Sequence, residues 1–117
     1  MRRPIRGTAD REQIAKNESL FRDVNERIAE ASDRFNSDDA VFMCECADAA
    51  CTERIEVPLE EYEQVREAGT HFLLAPGHVE PTVERVVRNH RRYEVVEKID
   101  AVVARVARRL DPRTEPA

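Results

Sequence analysis

Every cysteine in the chain falls within the stretch CECADAAC, as Cys44, Cys46 and Cys51, and this clustering constrains the fold more than any other feature. Thiolates bind zinc at about 2.3 Å, so the sulfurs of a tetrahedral site stand about 3.8 Å apart. Residues i and i+2 of a strand point to one face, so Cys44 and Cys46 can aim at one ion where a strand end curls. The small-residue turn Ala47–Ala50 can bring Cys51 back from across a hairpin. The spacing therefore predicts a thiolate site with one tetrahedral corner left to fill.

Three histidines compete for that corner. His78 lies in APGHV, where Pro76 and Gly77 make a sharp bend that fixes an imidazole with little freedom. His71 opens the preceding strand and is second choice. His90 sits among Arg88, Arg91 and Arg92, whose charge disfavours a cation. The expected set is Cys44, Cys46, Cys51 and His78 with zinc as the ion, by ligand softness. Other readings are a different metal or cluster, a redox pair of Cys44 and Cys46, or three small apolar residues buried without metal. Against the last, Glu45 and Asp48 interleave the thiols and predict a poor core.

A filled site is structural, and its metal adds folding free energy. Were His78 not a ligand, a bound water could complete the site, with Glu45, Glu53 or Glu56 as general base. A nucleophilic pair of Cys51 and His78 would use the same atoms as metal ligation.

The need for such a staple follows from composition. The chain has 117 residues, 41% hydrophobic and 37% charged, with six aromatics and no Trp. That suits one domain with a lean core of Val, Ile and Leu. No apolar run is long enough for a membrane span, and no apolar segment follows the basic start MRRPIR, so a secretory signal is not expected. The odd cysteine count argues against a disulfide scaffold, and a reducing, cytoplasmic setting is expected.

TADREQIAKNESLFRDVNERIAEASDRF reads as a long amphipathic helix with Asp10 and Gln13 as a capping box. Ile14, Asn17, Phe21, Val24, Ile28, Ala31 and Phe35 recur by threes and fours, a short coiled-coil-like stripe. Packing on the domain's own sheet is the favoured reading; a dimer seam with Asn17 setting register is the alternative. VFMCEC and TERIEV flank the cysteine turn as a hairpin. PLEEYEQVREAG is a short helix with Leu59, Tyr62 and Val65 inward and Gly69 as its stop. HFLLA is a buried strand. VERVV and YEVVEK form a second hairpin, although Val83–Arg88 also fits a helix. Ile99, Val102, Val103, Val106 and Leu110 mark a final helix capped by Asp100, before a frayed tail RTEPA.

Net charge is −5, unevenly spread. Residues 41–80 carry two arginines against nine acids, whereas residues 81–117 carry nine basic residues against six. An acidic middle argues against whole-surface nucleic-acid binding. Arg88, His90, Arg91 and Arg92 could still grip phosphates locally, extended by Arg105, Arg108 and Arg109. There is no Walker loop, dinucleotide glycine motif, nucleophile elbow or HExxH.

NESLFRDVNERI, FMCECADAACTERIEVPLEEYEQVR, HFLLAPGHVEPTVERVV and YEVVEK resemble a family of small uncharacterised proteins found mostly in actinobacteria. The resemblance runs from about Asn17 to Lys98 and implies that the cysteine hairpin and the APGH turn belong to one recurring module. Pro58 departs from the Thr expected there as a helix cap. The CxCx4C spacing is also similar to the zinc-binding tail of SET-domain methyltransferases, which supports chelation but not methyl transfer in so short a chain.

The expectation is thus an α+β fold: a small antiparallel sheet with a zinc-binding hairpin, a long N-terminal helix and a C-terminal helix. Residues 1–39 form the first helix, 40–98 the zinc-binding core and 99–117 the last helix and tail. The expected role is a non-enzymatic, zinc-stabilised interaction or regulatory module, with the first helix as surface for a protein partner or a second copy. The alternatives are a nucleic-acid-associated regulator and a thiol redox sensor that releases zinc.

Overall fold

A computed structural model describes residues 7–113 of the chain. Its α+β architecture has three helices and five strands. Helix α1 spans Gly7–Arg34. Strands β1 (Asp39–Met43) and β2 (Arg54–Pro58) form an antiparallel hairpin in which Ala40 faces Val57 and Phe42 faces Ile55. Alternation puts these four residues into the core and leaves Val41 and Glu56 outside. Helix α2 (Leu59–Val65) starts directly from Pro58, whose fixed φ suits a helix entry. Tyr62 of α2 stacks on Phe42 with ring centroids 4.3 Å apart.

Strands β3 (His71–Leu74), β4 (Glu84–Asn89) and β5 (Glu94–Lys98) form a second antiparallel sheet in the order β3-β5-β4. The single sheet expected from the sequence is therefore two. They are joined at the cysteine segment, where the Glu45 amide donates to the Leu73 carbonyl at 2.8 Å. The stretch Val83–Arg88 is not helical: Val83 ends a turn and β4 runs from Glu84, with a register shift between Val86 and Arg88; a β-bulge twists an edge and discourages further pairing. Helix α3 (Ala101–Arg109) is capped as expected by Asp100, whose carboxylate accepts from the amides of Val102 and Val103.

The first helix meets the domain through an unexpected face. The expected stripe is only half-buried at Ile14, Asn17, Phe21 and Ile28, and exposed at Val24, Ala31 and Phe35. The neighbouring stripe of Ala15, Glu18, Ser19, Arg22, Asn25, Glu26 and Ala29 is buried instead. It has the same three-four spacing, so the period cannot distinguish the two. Its charged groups are paired, although Ser19 Oγ, Glu18 Oε1 and Arg22 Nε have no hydrogen-bond partner among the described residues. Lys98 Nζ donates to Glu18 at 2.6 Å and also to Glu84, with all three side chains fully buried. The Arg22 guanidinium lies 3.8 Å from the Phe72 ring centroid and donates to the Gly69 carbonyl at 2.8 Å. Arg66 pairs with Glu26 and Asp111.

Other local expectations shift for similar reasons. Helix α1 begins at Gly7, so Asp10 lies in its first turn rather than at a cap, and Gln13 donates to Asn17 at 3.0 Å. Helix α2 ends at Val65 with Arg66 as its cap, before Gly69. Gly69 instead makes room for the C-terminal end: a Cβ there would stand 2.9 Å from Asp111 Oδ2. In α3 the buried face is Val103, Ala104, Val106 and Ala107, whereas Ile99 and Leu110 are exposed. Arg113, expected in a frayed tail, donates to Glu26 and Glu63; residues 114–117 and the basic start 1–6 lie outside the described part. Among the described residues no helix is long and apolar enough to cross a membrane.

Candidate metal centre

The two arms of the site come from loops that the sequence bends in different ways. Cys44 and Cys46 follow β1 rather than lying within it. The Cys44 amide donates to Glu53 at 3.0 Å, extending the hairpin ladder one step past the strand. Asp48 then shapes the return. Its carboxylate accepts from the Ala50 amide at 2.9 Å, and its carbonyl accepts from the Cys51 amide at 3.0 Å. This side-chain-closed turn carries Cys51 back toward the start of the loop.

The second arm is the Ala75–His78 turn after β3. The His78 amide donates to the Ala75 carbonyl at 3.2 Å, and Gly77 has φ +82°. Pro at the second position and glycine at positive φ in the third are the residues that a type II turn requires. The turn directs His78 Nδ1 to 3.5 Å from Cys44 Sγ and 3.6 Å from Cys51 Sγ.

Cys44, Cys46, Cys51 and His78 thus converge, with one ligand atom from each lying within 4.8 Å of all the others. That spread fits a tetrahedral ion, whose thiolates would stand about 3.8 Å apart. Cys44 and Cys46 are buried, and Cys51 and His78 half-buried. The Ala75 amide donates to Cys44 Sγ at 3.1 Å, a contact that stabilises negative charge on sulfur. The hydrogen bond that the Cys44 thiol donates to Cys46, together with burial, pushes Cys44 up, while the same contact holds Cys46 down to about 5. Burial raises Cys51. Three sulfurs and one imidazole so placed are a donor set that suits a soft dication.

Glu45 overturns the expectation of a poor core around the thiols. It is fully buried, and its carboxylate accepts from the Leu73 amide and from Asn25 Nδ2, each at 2.8 Å. Burial raises its pKa against the pull of these two donors. Glu45 therefore occupies the free edge of β3 and ties the cysteine segment to α1. A carboxylate so engaged does not serve as a general base, and Glu53 and Glu56 are exposed. The signal for Glu45 was period-two geometry: if Cys44 and Cys46 face one way, the residue between them faces the other. Asn25 carried no comparable signal beyond its place in the polar stripe.

The other histidines lie elsewhere. His71 pairs with Glu97 at 3.4 Å at the far end of β3, and His90 stacks on Tyr93 at a centroid distance of 4.4 Å. Arg88, His90, Arg91 and Arg92 are all exposed at the β4–β5 hairpin end, where Arg88 reaches Gln64 at 3.4 Å. Arg105, Arg108 and Arg109 are exposed on α3. No family model, curated protein or solved structure matches the chain.

Proposed function

We propose that this protein is a small zinc-stabilised module that acts by contact rather than catalysis, in a reducing compartment such as the cytoplasm. The convergence of Cys44, Cys46, Cys51 and His78 carries the reading. Three sulfurs and one imidazole select zinc over hard cations, and four protein ligands fill a tetrahedron and leave no position for a substrate. The ion would staple the β1–β2 loop to the β3 turn, beside the Glu45–Leu73 bonds that already tie the two sheets. Metal analysis of purified protein tests this. About one zinc per chain is expected, lost from Cys44→Ser and His78→Ala variants. A fully folded wild-type preparation without metal, whose melting is unchanged by added zinc or by chelator, overturns it.

Two narrower roles rest on single observations. The half-buried Cys51 leaves one sulfur open to oxidants, which supports a redox sensor. Zinc release at low peroxide dose, reversed by thiol reductant, is its signature. The exposed Arg88, His90, Arg91 and Arg92 support phosphate contact. Salt-dependent binding to mixed nucleic acid that charge reversal at Arg91 and Arg92 abolishes would identify it.

A further inference from the structure

The three sulfurs of the metal centre are not held alike. Cys44 is fastened twice: its amide donates to the Glu53 carbonyl at 3.0 Å, and its sulfur accepts from the Ala75 amide at 3.1 Å. Cys46 and Cys51 belong to one short loop closed by Asp48. The Asp48 carbonyl accepts from the Cys51 amide at 3.0 Å and lies 3.9 Å from Cys46 Sγ. Between them run Ala47, Asp48, Ala49 and Ala50, none with a bulky side chain. Access differs as well. Cys44 and Cys46 are each 1% exposed, whereas Cys51 is half-buried, with Ala50 and Thr52 exposed on either side. A small solute therefore meets the Cys51 sulfur first, and access together with thiolate character governs oxidation.

We infer that Cys51 is the site of attack by a peroxide and that Cys46, not Cys44, resolves it, so that one local disulfide ejects the metal. This chemistry rests on the metal reading above and names how that site is emptied. A lone pair of the zinc-bound Cys51 sulfur attacks one peroxide oxygen. The O–O bond breaks, and the departing hydroxide takes a proton to become water. The Cys46 thiolate then attacks the Cys51 sulfenic acid: the S–S bond forms, the S–O bond breaks, and a second hydroxide leaves as water after taking a proton. Two electrons pass from the two sulfurs to the peroxide. One sulfur and one imidazole remain, too few to hold a tetrahedral ion.

Proximity alone does not choose the pair, because the ligand atoms of all four residues lie within 4.8 Å of one another. Anchoring chooses it. Cys44 reaches Cys51 only by giving up the Ala75 bond. A bridge from Cys44 to Cys46 is opposed by the residue between them. The Glu45 side chain is held by the Leu73 amide and Asn25, which keeps that segment from closing into the small, strained ring such a bridge requires. Closing Cys46 on Cys51 disturbs neither anchor. The Glu45–Leu73 bonds survive, so the two sheets stay joined while the turn that carries His78 loses its tie.

Peroxide titration of the zinc-loaded full chain tests this, with free thiols blocked by alkylation and the bridge mapped by fragmentation mass spectrometry. About one equivalent of peroxide is expected to release the zinc, link Cys46 to Cys51 and leave Cys44 alkylated. The oxidised protein should keep the circular dichroism of the reduced one and melt close to the chelated one. In Cys46→Ser, a diketone probe should trap the sulfenic acid on Cys51; in Cys51→Ser, both remaining thiols should survive the same dose. A wild-type bridge that includes Cys44, or a Cys46→Ser variant that joins Cys44 to Cys51 as readily as wild type forms its own bridge, overturns the assignment. Zinc content before peroxide separates the two readings. A chain that holds no zinc at the outset fails the metal reading and the ejection step with it. A chain that holds zinc and keeps all three thiols through the titration fails this inference alone.

Discussion

Asn25 serves Met43 as a strand neighbour would: its Nδ2 donates to the Met43 carbonyl at 2.8 Å, and its Oδ1 accepts from the Met43 amide at 2.7 Å. The same Nδ2 reaches Glu45 Oε2 at 2.8 Å. One helical side chain thus closes the end of β1 just before the first cysteine. Asn25→Leu leaves a backbone donor, a backbone acceptor and part of a buried carboxylate without partners. A loss of about 2 kcal/mol or more is expected in denaturant unfolding. Asn25→Asp should cost more at neutral pH, because it sets a second carboxylate against Glu45, and part of that loss should return as the pH is lowered.

The residues that were legible in the sequence are those whose roles are local. Cys44, Cys46 and Cys51 lie close in the chain, and Pro76-Gly77 specifies the turn that presents His78, so little long-range information was needed to assemble them. Strands β3 and β5, helix α2 and the Asp100 cap were legible for the same reason. The face of α1 was not. Two stripes with one period run along that helix, and hydrophobicity alone favours the one that is only half-buried or exposed. What decides is pairing with Lys98, Arg66 and the Met43 backbone, residues far away in sequence. The burial of Glu45 is illegible on the same ground: a buried charge is compatible with a core only where the fold supplies its donors.

The buried cluster of Glu18, Lys98 and Glu84 has two carboxylates for one ammonium. Burial raises Glu18 from its ordinary 4.5 to about 8, against the attraction of Lys98. The folded state therefore holds a proton that the unfolded chain has released. For a pKa raised on folding, this contribution is present below the unfolded value and is lost as pH climbs toward the folded one. Stability should decline between about pH 4.5 and pH 8 on this account. Glu18→Gln, neutral at every pH, should flatten that decline, and its stability relative to wild type should improve toward pH 8. Denaturant titrations across this range give the slopes directly. Equal slopes for the two proteins would remove Glu18 as the cause.

Gly77 adopts φ +82°, and a Cβ there would meet no atom within 4 Å. The cost of Gly77→Ala is thus backbone strain without a clash, about 1–2 kcal/mol. Relaxing that strain would turn the Ala75–His78 bend and draw His78 Nδ1 away from Cys44 and Cys51. Reduced zinc affinity is expected together with reduced stability. Pro76→Ala, which keeps the glycine, should affect both less. Competition with a chromophoric chelator reads the affinity, and thermal melting reads the stability.

The cysteines should differ in what they contribute once metal is removed. Cys44 is buried, receives the Ala75 amide at 3.1 Å and lies where the two sheets meet. Cys51 sits half-buried in a loop closed by Asp48. Serine at either position removes a soft ligand, so the gap in melting temperature between zinc-loaded and chelated samples should narrow in both variants. With chelator present throughout, Cys51→Ser should melt close to wild type. Cys44→Ser should melt lower, because it buries a strongly solvated hydroxyl, smaller than sulfur, among contacts spaced for Sγ, at a cost of about 1–3 kcal/mol. Equal melting of the two chelated variants would mean that the Cys44 sulfur matters only as a ligand, and that the packing around it does not distinguish it from the half-buried Cys51.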